Sequence, residues 1–262
     1  MLRYGIRILL LLALLVVPVA AWGQMTGNVD KLKADLHGDN LDRAVAAASA
    51  LGSLKGEDSL EALMGALQLG APPKLTLALL EALGLHKSPK AIDLMRHFAT
   101  YRRPEVRVAA LKGLTGIADR RIGLILINAL GDSSPMVRAK AARELGELND
   151  RRAERPLFKM LRRGDAAAAS PLGTVGGVET AKQLAELIGE LPDPVLANAL
   201  GTIVKRKDFG PDPLRKMVVQ TLCKIPGADA TAALVEYIAG VPEKEVRLSK
   251  KEAEKCLEAR QK

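Results

Sequence analysis

The feature that most constrains this chain is that it matches itself at an offset of 31 residues. Pro104-Glu105-Val106-Arg107-Val108-Ala109-Ala110-Leu111-Lys112-Gly113-Leu114 aligns with Pro135-Met136-Val137-Arg138-Ala139-Lys140-Ala141-Ala142-Arg143-Glu144-Leu145. The match runs on into the next loop, where Asp119-Arg120-Arg121-Ile122 falls opposite Asp150-Arg151-Arg152-Ala153. Upstream, Leu83 precedes Leu114 by the same 31 residues, and Ala47, Leu51, Gly52 and Leu54 keep the corresponding relative places. Downstream, Leu172-Gly173 and Leu200-Gly201 echo Leu145-Gly146, and Pro213-Leu214-Arg215-Lys216 opens a further copy. Such a period marks a stack of small units, each stable only against its neighbours.

Each copy reads as a helical hairpin. The proline sits in a first helical turn, where its missing N–H has no partner to lose. Val106, Ala110, Leu114 and Ile117 follow the spacing of one buried helix face. Ala109, Ala110 and Gly113 leave room for a neighbouring helix, and the Asp of each Asp-Arg-Arg triplet is available as an N-cap. Composition agrees, with 48% hydrophobic residues but only 3% aromatic. An interior filled by Ala and Leu, the strongest helix formers, belongs to closely packed helices rather than to a core built on rings.

The pattern Pro-x-Val-Arg-x-x-Ala-Ala-x-x-Leu-x-x-(Ile/Leu)-x-Asp resembles the HEAT-repeat (armadillo-type) family, in the variant also seen in HEAT-like chromophore lyases. It covers the copies from 103 to 163 almost fully and is looser from 40 to 97 and from 178 onward. The resemblance implies an all-α, right-handed α-α superhelix of six to seven hairpins. Expected divisions are an N-terminal cap at 24–39, repeats at 40–163, irregular repeats at 164–240 and a charged capping helix at 241–262. Two irregular places interrupt the array. Pro171 falls inside a helical stretch that has lost residues, predicting a short, kinked helix. The basic run 205–213 stands where a full hairpin would otherwise fit.

The N-terminus carries Arg3 and Arg7, an apolar run from Ile8 to Val17, Pro18, and small residues at Ala20, Ala21 and Gly23. That is the layout of a secretory signal peptide over 1–23, cleaved near Ala21 or Gly23. The alternative is an uncleaved anchor, although the stretch falls short of the roughly 20 apolar residues that span a bilayer. The expected location is therefore the periplasm or the extracellular space. Cleavage would leave 37 basic residues against 30 acidic, a balance that favours an anionic partner. An acidic protein or peptide is expected, and no nucleic acid, because no aromatic stacking platform accompanies the basic residues. A membrane contact is expected only through an uncleaved signal segment. Cys223 and Cys256 lie about one repeat apart, and equivalent points on neighbouring hairpins sit about 10 Å apart, beyond the reach of a disulfide. Two buried free thiols are the expected state, with a bridge as the alternative.

No metal or cofactor is expected. His37, His86 and His97 lie near loops or singly on helices, without partners at ligand spacing, and there is no phosphate-binding glycine loop. The absence of any His-Glu dipeptide removes the di-iron hydroxylase reading that a HEAT resemblance also raises. The expectation is a chain that is not an enzyme but a scaffold. A HEAT-like lyase or cofactor-handling enzyme, or a structural part of an envelope complex, is the alternative. In the HEAT family the second helix of each hairpin lines the concave surface. The offset superposes Thr76, Arg107 and Arg138, with Arg215 at the matching place in its helix, and likewise Glu81, Lys112 and Arg143. Arg107, Lys112, Arg138, Arg143, Arg215 and Lys216 are therefore the candidate contacts for the partner. The resemblance also implies a competing role for Arg107 and Arg138, as pairs for turn aspartates such as Asp132.

Overall fold

The computed structural model describes residues 19–261, with side chains from residue 28; the expected signal segment, 1–23, lies mostly outside them. Among the described residues, fifteen α-helices follow one another. They are α1 (Val19–Leu36), α2 (Leu41–Ser53), α3 (Glu57–Leu69), α4 (Pro73–His86), α5 (Ile92–Phe98), α6 (Pro104–Thr115), α7 (Arg121–Ala129) and α8 (Pro135–Glu147). The series continues with α9 (Glu154–Arg162), α10 (Ala169–Val175), α11 (Val178–Glu186), α12 (Asp193–Lys205), α13 (Asp212–Lys224), α14 (Ala228–Gly240) and α15 (Leu248–Gln261). Short 3-10 turns lead into α5, α9 and α10. The chain is an all-α solenoid of seven hairpins closed by α15, and no helix among the described residues is long and apolar enough to cross a membrane.

The two rows of helices pack unequally. The even helices, α2 to α14, touch each neighbour along their length, whereas the odd helices from α3 to α11 barely meet. Small residues make the tight row possible. A Cβ on Gly84 in α4 would lie 2.8 Å from the Gly113 Cα of α6, and one on Gly201 in α12 would lie 2.8 Å from the Ala233 Cβ of α14. Gly52 against Ala82 and Gly173 against Ala199 and Thr202 repeat the arrangement. A stack whose one row is tighter curves toward that row, so the even helices form the inner face. Between the rows, leucines such as Leu51, Leu79, Leu111, Leu145, Leu172 and Leu200 are fully buried. Burial of each stabilises the stack by about 1.5–3 kcal/mol.

The irregular places have local causes. Pro171 does not break a helix. A 3-10 turn at Ala166–Ala168, capped by Asp165 accepting from Ala167 N–H, restarts the chain so that Pro171 falls in the first turn of α10. There it lacks no helical hydrogen bond, and it fills the space over Gly146. The basic run after α12 is an ordered loop. Arg206 clamps Asp208 through Nε (3.1 Å) and Nη2 (2.7 Å), and its Nη1 donates to the Gly176 carbonyl (2.5 Å), while Phe209 is buried. This loop is too short for another helix. It delivers α13, whose Pro-x-Arg opening resembles that of the even helices α6 and α8, into the odd row, where it packs on α15.

The cysteines overturn the expectation of two buried free thiols. Cys223 of α13 and Cys256 of α15 form a disulfide with a Cα–Cα distance of 5.9 Å, and both side chains are half-buried. The general 10 Å helix spacing does not hold here, because α13 and α15 pack far more closely than the other odd helices.

Gly84→Ala adds a methyl against backbone. The helix-propensity gain of about 1 kcal/mol is smaller than the overpacking cost of about 1–3 kcal/mol, so urea unfolding should show net destabilisation. Gly65→Ala in α3, where nothing lies within 4 Å, should raise stability by up to about 1 kcal/mol. The bridge closes a loop of 33 residues, so Cys223→Ser with Cys256→Ser should lower stability by about 3–4 kcal/mol in chemical denaturation.

Candidate functional site

The arginines at the start of α6 and α8 are built into the fold. Arg107 is 8% exposed. Its Nε and Nη2 donate to the two carboxylate oxygens of Asp132 at 2.8 and 2.6 Å, and its Nη1 donates to the Tyr101 carbonyl at 2.7 Å. Arg138 repeats the pattern on Asp165 (Nε, 2.7 Å) and the Asp132 carbonyl (3.0 Å). Each arginine thus ties the loop before its helix to the turn after the next one. Burial opposes the charge on Asp132. Hydrogen bonds from Arg107 and the Ser134 N–H more than offset it, so its carboxyl sits below the usual range. The Asp-Arg-Arg turns are similar local clamps: Asp150 accepts from the Arg152 guanidinium and N–H, which hold its carboxyl below the usual range.

The other expected contacts diverge. Lys112 is exposed but bridges to Glu81 of α4 at 2.7 Å, a cross-helix pair on the inner face. Lys205 and Glu236 pair in the same manner between α12 and α14. Arg143 is exposed and makes no ion pair among the described residues. Lys216 lies 3.6 Å from Glu252 of α15. Arg215 is buried, and its Nη1 and Nη2 donate to the carbonyls of Val204 (2.7 Å) and Lys207 (3.0 Å). The six residues therefore do not form one basic row. Of the histidines, His86 reaches the Leu51 carbonyl with Nε2 at 3.1 Å, and His97 packs its ring edge-on to Phe98.

A basic cleft lies elsewhere, where the outer helices splay. Between α9 and α11 is an opening of about 620 Å³, lined by Arg155, Lys159, Arg162 and Arg163 on one side and Glu179, Thr180 and Gln183 on the other. Phe158 is half-buried among the cations. Positions 155, 159 and 162 share one helix face, while Leu157, Met160 and Leu161 on the other are buried. Of the cleft's two carboxylates, Glu154 is held by hydrogen bonds and Glu179 is exposed at the rim. Glu154 accepts from the Gly177 N–H (3.0 Å) and the Thr180 hydroxyl, and Glu179 lies 3.8 Å from Lys182. None of the four cations has an ion-pair partner among the described residues. The spacing within α9 is visible in the sequence; its facing wall is not, because α11 has no counterpart at the repeat offset.

Comparison with known proteins places these observations in a class. Residues 123–204 match the family model for HEAT repeats, and residues 44–68 match that for the PBS lyase HEAT-like repeat. The fold is that of a HEAT-type solenoid, and residues 44–68 and 123–204 are the stretches that resemble HEAT repeats in sequence. No curated protein matches it. Among solved structures, it is similar to the complex of CpcE and CpcF of phycocyanin lyase from Nostoc sp., at 17% identity and a TM-score of 0.47, with 88% of this chain and 94% of that one covered. It is also similar to human deoxyhypusine hydroxylase, at 20% identity and a TM-score of 0.42, with 91% and 98% covered. An engineered protein matches at 18% identity and a TM-score of 0.43, with 91% and 69% covered. These are likenesses of fold. The match over 44–68 corrects the expectation that the chain is not an enzyme, because the repeat carried there is one described for a lyase.

Replacing Arg107 by Met leaves Asp132 as a partly buried charge without its partner. The protein should lose about 3 kcal/mol of stability at neutral pH, measurable by thermal or urea unfolding. In the wild type the contribution of Asp132 is complete above the ordinary aspartate value of about 4. It fades as the pH falls through the lower folded-state value, and an Asp132→Asn variant should lack that acid-side loss.

Proposed function

We propose that this protein is an exported HEAT scaffold that binds an acidic protein segment in the cleft between α9 and α11. The observation that carries the reading is the set of cations without an ion-pair partner among the described residues, Arg155, Lys159, Arg162 and Arg163, arranged around the half-buried Phe158. Arginine and aromatic residues, phenylalanine included, are enriched at the cores of interfaces, and a cluster of one sign steers an oppositely charged partner. The inner face is a weaker claimant, because Lys112 and Lys205 are each matched by a glutamate of the neighbouring helix. Export is supported by the layout of 1–23 and by the Cys223–Cys256 bridge, which belongs with an oxidising compartment.

A lyase-type activity is the second reading, favoured by the match of residues 44–68. A bound chromophore in the absorption spectrum of the purified protein would support it.

The test of the first reading uses a fluorescently labelled oligoglutamate peptide followed by anisotropy. Wild-type protein should bind it with an affinity that falls steeply as salt is raised. Arg155→Glu with Arg162→Glu should weaken binding at least tenfold with an unchanged circular dichroism spectrum. Lys112→Glu with Arg143→Glu should leave it within twofold. The reverse ranking would move the site to the inner face.

A further inference from the structure

One arginine of the repeating set lacks the carboxylate that the others hold. Where the series begins, Thr76 stands in place of arginine, its hydroxyl donating to the Ala71 and Pro72 carbonyls at 3.0 and 3.2 Å. No charge needs balancing there. Arg107 and Arg138 follow, each with an aspartate from the turn after the next helix. Arg215 is 4% exposed, yet it forms no ion pair among the described residues. The turn after α14 offers Val241-Pro242-Glu243, but Glu243 is exposed and makes no ion pair among the described residues. Nearby acids are already engaged: Glu236 with Lys205, Glu245 with Arg247 at 2.7 and 2.9 Å, and Asp212 with the Leu248 N–H at 2.6 Å.

A cavity of about 490 Å³ has Arg215, Lys207, Arg247 and Tyr237 in its wall, together with the two paired carboxylates Glu236 and Glu245. Its size is that of a small-molecule pocket. Lys207 is exposed at this cavity and makes no ion pair among the described residues. Burial, followed by the like charge of Arg247, disfavours the charged guanidinium of Arg215. A buried charge without a counter-ion is costly, and an anion supplied from outside relieves that cost.

We infer that this cavity binds a small carboxylate-bearing molecule, whose carboxylate meets Arg215 as Asp132 meets Arg107 and Asp165 meets Arg138. The planar fork of a guanidinium suits a carboxylate held by two hydrogen bonds. Lys207 supplies a second positive charge at the rim. This site is separate from the α9–α11 cleft and does not depend on the function proposed for it.

Isothermal titration calorimetry of the full chain with citrate, with inorganic phosphate as a parallel probe and sodium chloride at matched ionic strength as the control, tests the inference. Citrate should bind one-to-one with a Kd of about 1 mM or tighter. Arg215→Gln should weaken it at least tenfold. Because that change can also unsettle the fold, Lys207→Glu is the second variant: it alters an exposed side chain, should preserve the melting temperature, and should also weaken citrate at least tenfold. Arg155→Glu with Arg162→Glu should bind citrate like the wild type, so the two sites stand or fall separately. Citrate binding no stronger than chloride, phosphate binding without citrate binding, or wild-type affinity in Lys207→Glu would each overturn the assignment.

Discussion

Everything in this structure depends on how closely the even helices approach one another. Their backbones nearly touch at glycines, and a methyl on Gly84 or Gly201 would fall inside contact distance of the next helix. Close approach on one side of a two-row stack forces the other row apart. The outer helices from α3 to α11 consequently splay and leave openings between them, including the one between α9 and α11. Curvature and clefts are thus two results of one packing constraint. The inner face, by contrast, is drawn together enough for side chains of adjacent helices to pair, as Lys112 and Glu81 do.

The arginine ladder is a second layer of organisation. A guanidinium in each of α6 and α8, buried in Arg107 and half-buried in Arg138, holds a turn that is distant in sequence but adjacent in the stack. Such a pair adds little net stability over an apolar replacement, yet breaking one half of it is expensive. It therefore fixes the register of hairpin upon hairpin. Among the described residues, the series begins neutral at Thr76, is filled at Arg107 and Arg138, and reappears across the row change in α13 as Arg215, a cation without an ion-pair partner.

How much of this is legible in the sequence follows from what a repeat can and cannot encode. The helical hairpins and their buried faces are legible, since Val106, Ala110, Leu114 and Ile117 all lie in the core as their spacing requires. The pairing of Arg107 with Asp132 is legible only through the family resemblance. The α9–α11 cleft is not, because its two walls are not copies of each other and self-alignment is blind to what does not recur. Pro171 looks like a helix breaker in the sequence because the position of a helix start decides whether a proline is costly. The 3-10 turn that resets that start leaves no periodic trace. The disulfide escapes for a similar reason: a general inter-helix spacing does not describe α13 and α15, which depart from it.

That bridge gives the molecule two unlike ends. In a stack where each unit touches only its neighbours, unravelling proceeds one hairpin at a time from either terminus. At the C-terminal end α15 is stapled to α13 across α14, so the last three helices come apart only together or not at all. Among the described residues, pulling therefore meets a covalent stop where α13 and α15 are joined, and non-covalent packing alone where α1 meets α2, so resistance to unravelling is unevenly distributed along the solenoid.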